Sequence, residues 1–521
     1  MTKSAHLLSN APVFNGIKMP YSGYVAGYAA IVNTMGLTMP LPYPIAMVSD
    51  KNQRANLDQW IVMPQNYLPE DNKNISRVQA LFNHLVFALK YEGVNLLVFA
   101  KLTEKLTKKE VVELVNIEPT GQYSRRIWFF IEWITDTKIK GKADLIKKSY
   151  VPAVDENLQY AATGIKSPRH LVLNNLPGDR NFCTLINKTA KLENHLNENY
   201  AEANKKSMVG IRKDIIQRAS AFLLLKDSKA SFTIEGESPK SKRAARWGNA
   251  IGQAGLNDLT TDELIRLQQL VIENTRFVHM GFRNQGGFVG EHDRETGDPI
   301  PDHISARHED LNKLINGLIS TNNLLVEGDF NPVLAASIIA FGFVFIHPFE
   351  DGNGRIHRYL IHHVLAKKRF SDQGIIFPVS SSILDHIDDY RIVLESYSRP
   401  LIDFIEWKET SNYNIEVLNN TFDFYRFFDG TRFAEFLFDC VQDTIRNIIP
   451  KEIAFLSNYD SFKNFMEEEF EMPDKMISIL VRFLEQNNGI LSKRAKEKDF
   501  SSLSEKEVER IEEEYKAIFE S

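Results

Sequence analysis

A run of twelve residues, His347 to Arg358 (HPFEDGNGRIHR), gathers the groups in this chain that could do chemistry. The imidazole of His347 can take a proton at neutral pH. Asp351 offers a hard oxygen of the kind Mg²⁺ accepts, usually one or two carboxylates alongside phosphates. Gly352-Asn353-Gly354 leave backbone amides open to an anion, with little side chain to block it. Arg355 and Arg358 lie three apart, share a helix face, and can both reach a polyphosphate. Base, metal ligand, anion cradle and two cations in so short a run point to phosphoryl or nucleotidyl transfer. The plainer alternative is a Gly-rich helix start with surface arginines. A lone Gly-Asn-Gly would deserve that reading. At average residue usage, the whole pattern H-x-F-x-[DE]-G-N-G-R-x-x-R has a chance on the order of one in ten billion per starting position.

These residues need two helices to position them. Asn331 and Pro332 suit a helix start, as N-cap and first turn. Val333 to Ile346 is almost wholly apolar. It is too short to span a membrane, which takes roughly 20 residues, so it reads as a buried core helix. His347 precedes Pro348 and is biased away from helix. Asp351 to Gly354 form a tight turn. A second helix starts near Arg355, with Ile356, Tyr359, Leu360 and Val364 as its apolar positions. Its first amides and its dipole face the turn.

The segment resembles the signature of the Fic family at every motif position. That resemblance implies a mainly α fold: a Fic-type helical core with a small β-hairpin flap. It implies that His347 is the general base and that Asp351 holds Mg²⁺ (or Mn²⁺) on ATP. The amides of Gly352, Asn353 and Gly354 would hold the α- and β-phosphates, Arg355 the β-phosphate and Arg358 the γ-phosphate. Phe349 would be buried to set the loop. The reaction implied is protein AMPylation: a Ser, Thr or Tyr hydroxyl of a target protein attacks the α-phosphate and pyrophosphate leaves. The same resemblance leaves open another nucleotide or phospho-donor, the reverse reaction, and a nucleotide-binding adaptor without catalysis.

Three further segments resemble family parts. FRNQGGFVGEH (282–292) is similar to the flap. Val289, Gly290, Glu291 and His292 would border the nucleotide, and the target would dock along the flap as an added strand. An ordinary surface hairpin is the alternative. Asp389-Tyr390, followed by Val393-Leu394, resembles the helix beside the adenine. Tyr390 would wall that pocket, with core packing as the alternative, and Tyr397 stands where some relatives carry Asn. Finally, Ser231 to Gly236 fits the inhibitory pattern [ST]-x-x-x-E-[GN]. Ser231, Glu235 and Gly236 would place Glu235 on Arg358 and keep that arginine from ATP. Thr189 to Asn194 fits the same pattern. Ile234-Glu235-Gly236 is closer to the family's usual core and lies nearer the flap.

The whole chain has 521 residues, 62 Lys+Arg against 68 Asp+Glu, and a net charge of −6. That balance does not suggest a nucleic-acid or anionic-membrane coat. Cys183 and Cys440 are far apart and form no metal or disulfide pattern. With no apolar leader at the N-terminus, a cytoplasmic protein is expected. Three parts are expected: a mostly helical domain over 1–205, a Fic domain over 206–410 and a helical region over 411–521. The middle part would hold the inhibitory helix (about 215–240), the flap (about 282–301) and the motif (347–358). Helices are expected at 76–92, 105–115 and 125–134, a hairpin at 169–179, and a linking helix between Lys191 and Lys213. Ser504 and Glu507 form a capping-box pattern before a last helix. Homo-oligomerisation is left open.

Overall fold

A computed structural model describes residues 7–51, 54–57, 59–140, 149–198, 200, 202, 210–370 and 377–520. Helices dominate, and their starts follow from side-chain caps. Ser76 accepts from the Gln79 amide at 3.1 Å and opens helix Arg77–Tyr91, which buries Val78, Leu81, Phe82, Leu85 and Leu89. Thr107 and Glu110 form a capping box ahead of Lys108–Asn116. Such caps contribute about 1 kcal/mol each by giving orphan amides a partner.

The first third is not helix alone. Gly23–Val25, Ile45–Ser49, Trp60–Pro64 and Ala55–Leu57 form a four-stranded sheet in that order, with the central pair parallel. All five residues of Ile45–Ser49 are buried. A strand covered on both faces shows a continuous apolar run, not alternation. The expected hairpin lies slightly earlier, pairing Ile165–Ser167 with Val172–Asn174. In the stretch expected as a linking helix, a helix runs Ala190–Asn197 and ends there, with Glu198 extended. Most of 199–209, including the expected 205/206 boundary, lies outside the described residues.

One contiguous core takes side chains from Leu7 to Leu456, and a second, smaller one runs from Phe462 to Tyr515. Packing therefore does not break at residue 410. A short hairpin straddles that point, pairing Trp407–Glu409 with Ile415–Val417. Ser504 and Glu507 do form a capping box, and Val508, Ile511 and Tyr515 of the last helix bury into the small core. No helix among the described residues is long and apolar enough to cross a membrane.

Five elements build the region around the motif. These are an upstream helix (Lys213–Thr233), the flap strands (Phe288–His292 and Pro299–Ile304), a central helix (Pro332–Ile346), a motif helix (Asn353–Lys367) and an outer helix (Ile387–Ile402).

Candidate active site

The Asn331 side chain accepts from the amides of Val333 and Leu334 at 2.9 and 3.2 Å, starting the central helix. That helix is buried at every position but Pro332 and Val344. It ends at His347, which takes the left-handed conformation, φ 53° and ψ 61°, and turns the chain outward. His347 is half-buried, and its Nδ1 lies 3.3 Å from the Val344 carbonyl. A proton on Nδ1 leaves Nε2 as the accepting atom. Burial, then the charges of His303 and Arg283, holds its pKa down to about 3. The imidazole is therefore neutral, the form a base requires.

The loop after it is held by its own side chains. Phe349 is fully buried beside the rings of Phe282 and Phe343. The Phe349 amide donates to Asn353 Oδ1 at 3.0 Å, and Asn353 Nδ2 donates back to the Phe349 carbonyl at 2.8 Å. The Asn353 side chain thus closes the loop, and only its backbone faces the cradle role. Gly352, at φ 98°, leads into the motif helix. Asp351 Oδ1 accepts from the Gly352 amide at 2.5 Å and from Arg355 Nη2 at 2.6 Å.

Against this loop lies the end of the upstream helix. Asp227, Ser231 and Glu235 are spaced by four and share one face; Arg358 and His362 are likewise four apart. Asp227 meets His362 at 2.9 Å. Arg358, 1% exposed, donates to Ser231 Oγ at 3.0 Å, to the Ser231 carbonyl at 2.6 Å and to Glu235 Oε1 at 2.8 Å. Glu235 also packs on Gly354: any Cβ there would collide with its Oε1. A carboxylate of the protein itself thus lies against the glycine loop.

The helix ends at Thr233, so Glu235 and Gly236 sit in the turn after it and not within a helix reaching 240. Gly236, at φ 73°, reverses the chain in the manner of a helix C′ glycine. That reversal delivers Glu237, a residue the sequence reading did not single out. Glu237 accepts from Arg355 Nη1 at 2.5 Å and also pairs with Arg243. Both guanidinium groups lie over the buried ring of Phe232, at 4.5 Å for Arg243 and 5.4 Å for Arg355. The other stretch with the inhibitory pattern is engaged elsewhere: its Glu193 accepts from the Tyr160 hydroxyl at 2.6 Å.

The flap strands are antiparallel, with a register shift between Val289 and Gly290. Val289, Gly290, Glu291 and His292 are all exposed. His292 Nε2 lies 2.8 Å from the Tyr413 carbonyl, which turns the side chain toward the 407–417 hairpin. Tyr390 is buried and stacked near His357. Burial pushes its pKa up to about 12, against the pull of the Arg358 charge. Its ring packs in the core behind Arg358. Tyr397 packs on Phe345 and donates to the Phe424 carbonyl.

Residues 258–365 match the Fic/DOC family. A stretch of 154 residues, 28% of this chain, is 28% identical to "Protein adenylyltransferase Fic" of Nematostella vectensis. The match spans 31% of that relative's length. Among solved structures, a Fic family protein from Desulfovibrio desulfuricans aligns with a TM-score of 0.37 at 19% identity, over 59% of this chain and 86% of that one. A Fic domain containing signaling protein from Bacteroides thetaiotaomicron aligns with a TM-score of 0.35 at 19% identity, over 49% and 97%. The motif residues His347 to Arg358 fall inside the segment that matches the Fic/DOC family.

Proposed function

We propose that the chain transfers AMP from ATP to a hydroxyl side chain of a target protein, and that Glu235 holds it inactive. The observation that carries this reading is the carboxylate of Glu235, lodged against Gly354 while bonded to Arg358. A site that accepts this carboxylate is built to take an anion. The name of the Nematostella relative supports adenylyl transfer as the reaction.

In this reading His347 Nε2 takes the proton of the target's Ser, Thr or Tyr hydroxyl. The freed oxygen bonds to the α-phosphorus, the α–β bridging bond breaks, and pyrophosphate leaves. The amides at Gly352, Asn353 and Gly354 hold the α- and β-phosphates, with Arg355 on the β- and Arg358 on the γ-phosphate. Fixed donors aimed at developing charge, and reactants held in line, supply most of such catalysis. Asp351 suits Mg²⁺ (or Mn²⁺) arriving with ATP, because its carboxyl is half exposed at the loop. One carboxylate plus phosphate oxygens and water is an ordinary Mg²⁺ set. Bound there, the ion would neutralise phosphate charge. The target would lie along the exposed strand Phe288–His292 of the flap. Two buried free cysteines suit a reducing, cytoplasmic setting.

Inhibition follows from competition for one cation. While Glu235 holds Arg358, the γ-phosphate has no partner there, and ATP binds poorly or out of line. Orphaning one member of a buried pair can cost about 3–5 kcal/mol. Here ATP would replace the lost anion, so removing Glu235 favours ATP.

The test is label transfer from α-³²P-ATP with Mg²⁺, comparing wild type, Glu235→Gly and Glu235→Gly/His347→Ala. Labelling of the chain itself or of lysate proteins by Glu235→Gly alone is expected. Label from other nucleotides only would replace ATP as donor. No label from any donor would remove the transferase reading in favour of an adaptor or the reverse reaction.

A further inference from the structure

The guanidinium of Arg283 is buried, 4% exposed, and makes no ion pair among the described residues. It donates instead to backbone carbonyls: Nε to His347 at 2.8 Å, Nη1 to Gln285 at 2.8 Å, and Nη2 to Ala306 and, at 3.5 Å, to Ile346. Its own amide donates to the Pro348 carbonyl at 2.9 Å. Gln285 lies just before the first flap strand and Ala306 just after the second. Ile346 and His347 end the central helix, whose last carbonyls have no partner within the helix. One planar fork thus joins both roots of the flap to the turn that carries the base.

We propose that Arg283 is a positioning residue that sets the register between the flap and His347, and so fixes where a docked hydroxyl meets the base. The inference rests on the AMP-transfer reading. It goes beyond it because Arg283 touches neither nucleotide cradle nor base side chain. A second strap runs in the same direction. His303, on the second flap strand, reaches the Phe345 carbonyl at 2.9 Å and Ser398 Oγ at 3.0 Å, with its ring 6.4 Å from that of His347. His347 stands in a left-handed conformation that few side chains adopt unaided, and such geometry persists only where the surroundings impose it. Lysine could keep the charge of Arg283, but as a point donor it cannot span divergent carbonyls as the planar fork does. The cradle is braced separately, by the Asn353–Phe349 bracket. Loss of Arg283 should therefore spare nucleotide binding and damage transfer.

The experiment uses the full chain in the Glu235→Gly background, with Arg283→Lys and Arg283→Gln added. Calorimetry with α,β-methylene-ATP and Mg²⁺ gives nucleotide affinity and the binding-competent fraction. Self-labelling from α-³²P-ATP is then expressed per competent molecule. The expected result is a fall in labelling of about tenfold or more with affinity within about threefold of the parent, since misplacement of about 1 Å can cost on the order of a hundredfold. Labelling within about twofold of the parent would overturn the proposal. So would a loss of nucleotide binding that accounts for the whole fall, which would make Arg283 merely structural. If the Glu235→Gly parent itself labels nothing, the transfer reading fails first and this inference falls with it.

Discussion

His347 shows how its setting changes a residue's chemistry. An exposed histidine would be half protonated near pH 6.5. Burial, followed by the nearby His303 and Arg283, moves this one down to about 3. The direction is toward the neutral form, so the imidazole stays unprotonated well below physiological pH. In the Glu235→Gly variant, the transfer rate at saturating Mg-ATP should stay level from about pH 8 to about pH 5.5. An ordinary imidazole would retain only about a tenth of its neutral form at the lower limit. A rate that halves near pH 6.5 would show that the buried state is not the working one. On the proposed mechanism, a base this weak draws little from its own affinity for a proton. Placement must then carry more of the rate, which is why the backbone holding His347 matters as much as its ring.

At the scale of elements, the site consists of two helices whose four-residue ladders face each other. Asp227 sits on His362, and Ser231 with Glu235 sits on Arg358. The turn beyond adds Glu237 on Arg355, backed by Arg243. Both arginines of the motif are therefore held by acids of one short segment. On the proposed latch, Glu237→Gln should raise α-³²P-ATP labelling about fivefold over wild type, and by less than Glu235→Gly does. The Glu237 carboxylate is a third exposed, so its pair is worth only about 1 kcal/mol, and Arg355 keeps Asp351. A folded Glu237→Gln chain with wild-type labelling would leave Glu235 as the only acid that matters. The difference between these two acids shows what sequence makes legible. Glu235 lies in a contiguous pattern, as do the residues from His347 to Arg358. The importance of Glu237 depends on the left-handed turn at Gly236 and on an arginine from the next helix. Asn353 reads as one more amide of the cradle until Phe349, four residues back, is seen bonded to its side chain. The strand Ile45–Ser49 has five buried positions and no alternation, so its period cannot separate it from a short buried helix. Arg283 lies in the flap-like stretch, but nothing there marks its role, because its partners are carbonyls from three separate points of the chain: Gln285, Ala306 and the Ile346–His347 turn.

At the scale of the whole molecule, the motif does not rest on its own domain alone. The segment from Asp179 to Thr189 threads between the central helix and the helices that follow the 407–417 hairpin. Cys183 donates its amide to the Arg426 carbonyl at 2.8 Å, Gly430 donates to Leu185 at 2.8 Å, and the Asn187 amide donates to Thr431 Oγ1 at 2.9 Å. The ring of Phe182, fully buried, fills the space over Gly342 on the central helix; any Cβ at Gly342 would collide with it. Further up the chain, Lys101 is buried and ion-paired to Asp423 at 3.2 Å. Removing this stretch uncovers the apolar face of the helix that ends in His347. It also takes Lys101 from Asp423, which is left with Arg426 at 2.7 Å as its partner. Losing Phe182 alone should cost about 3–5 kcal/mol, a large share of the 5–15 kcal/mol by which proteins are usually stable. A chain beginning at Gly210 should therefore aggregate or melt well below the full-length protein, although it keeps every motif residue. Phe182→Ala in the full chain should lower the melting temperature and, in the Glu235→Gly background, reduce labelling with it. A soluble 210–521 fragment that labels as fast as the full chain would show that the catalytic core folds alone. The first third would then serve target selection, not support.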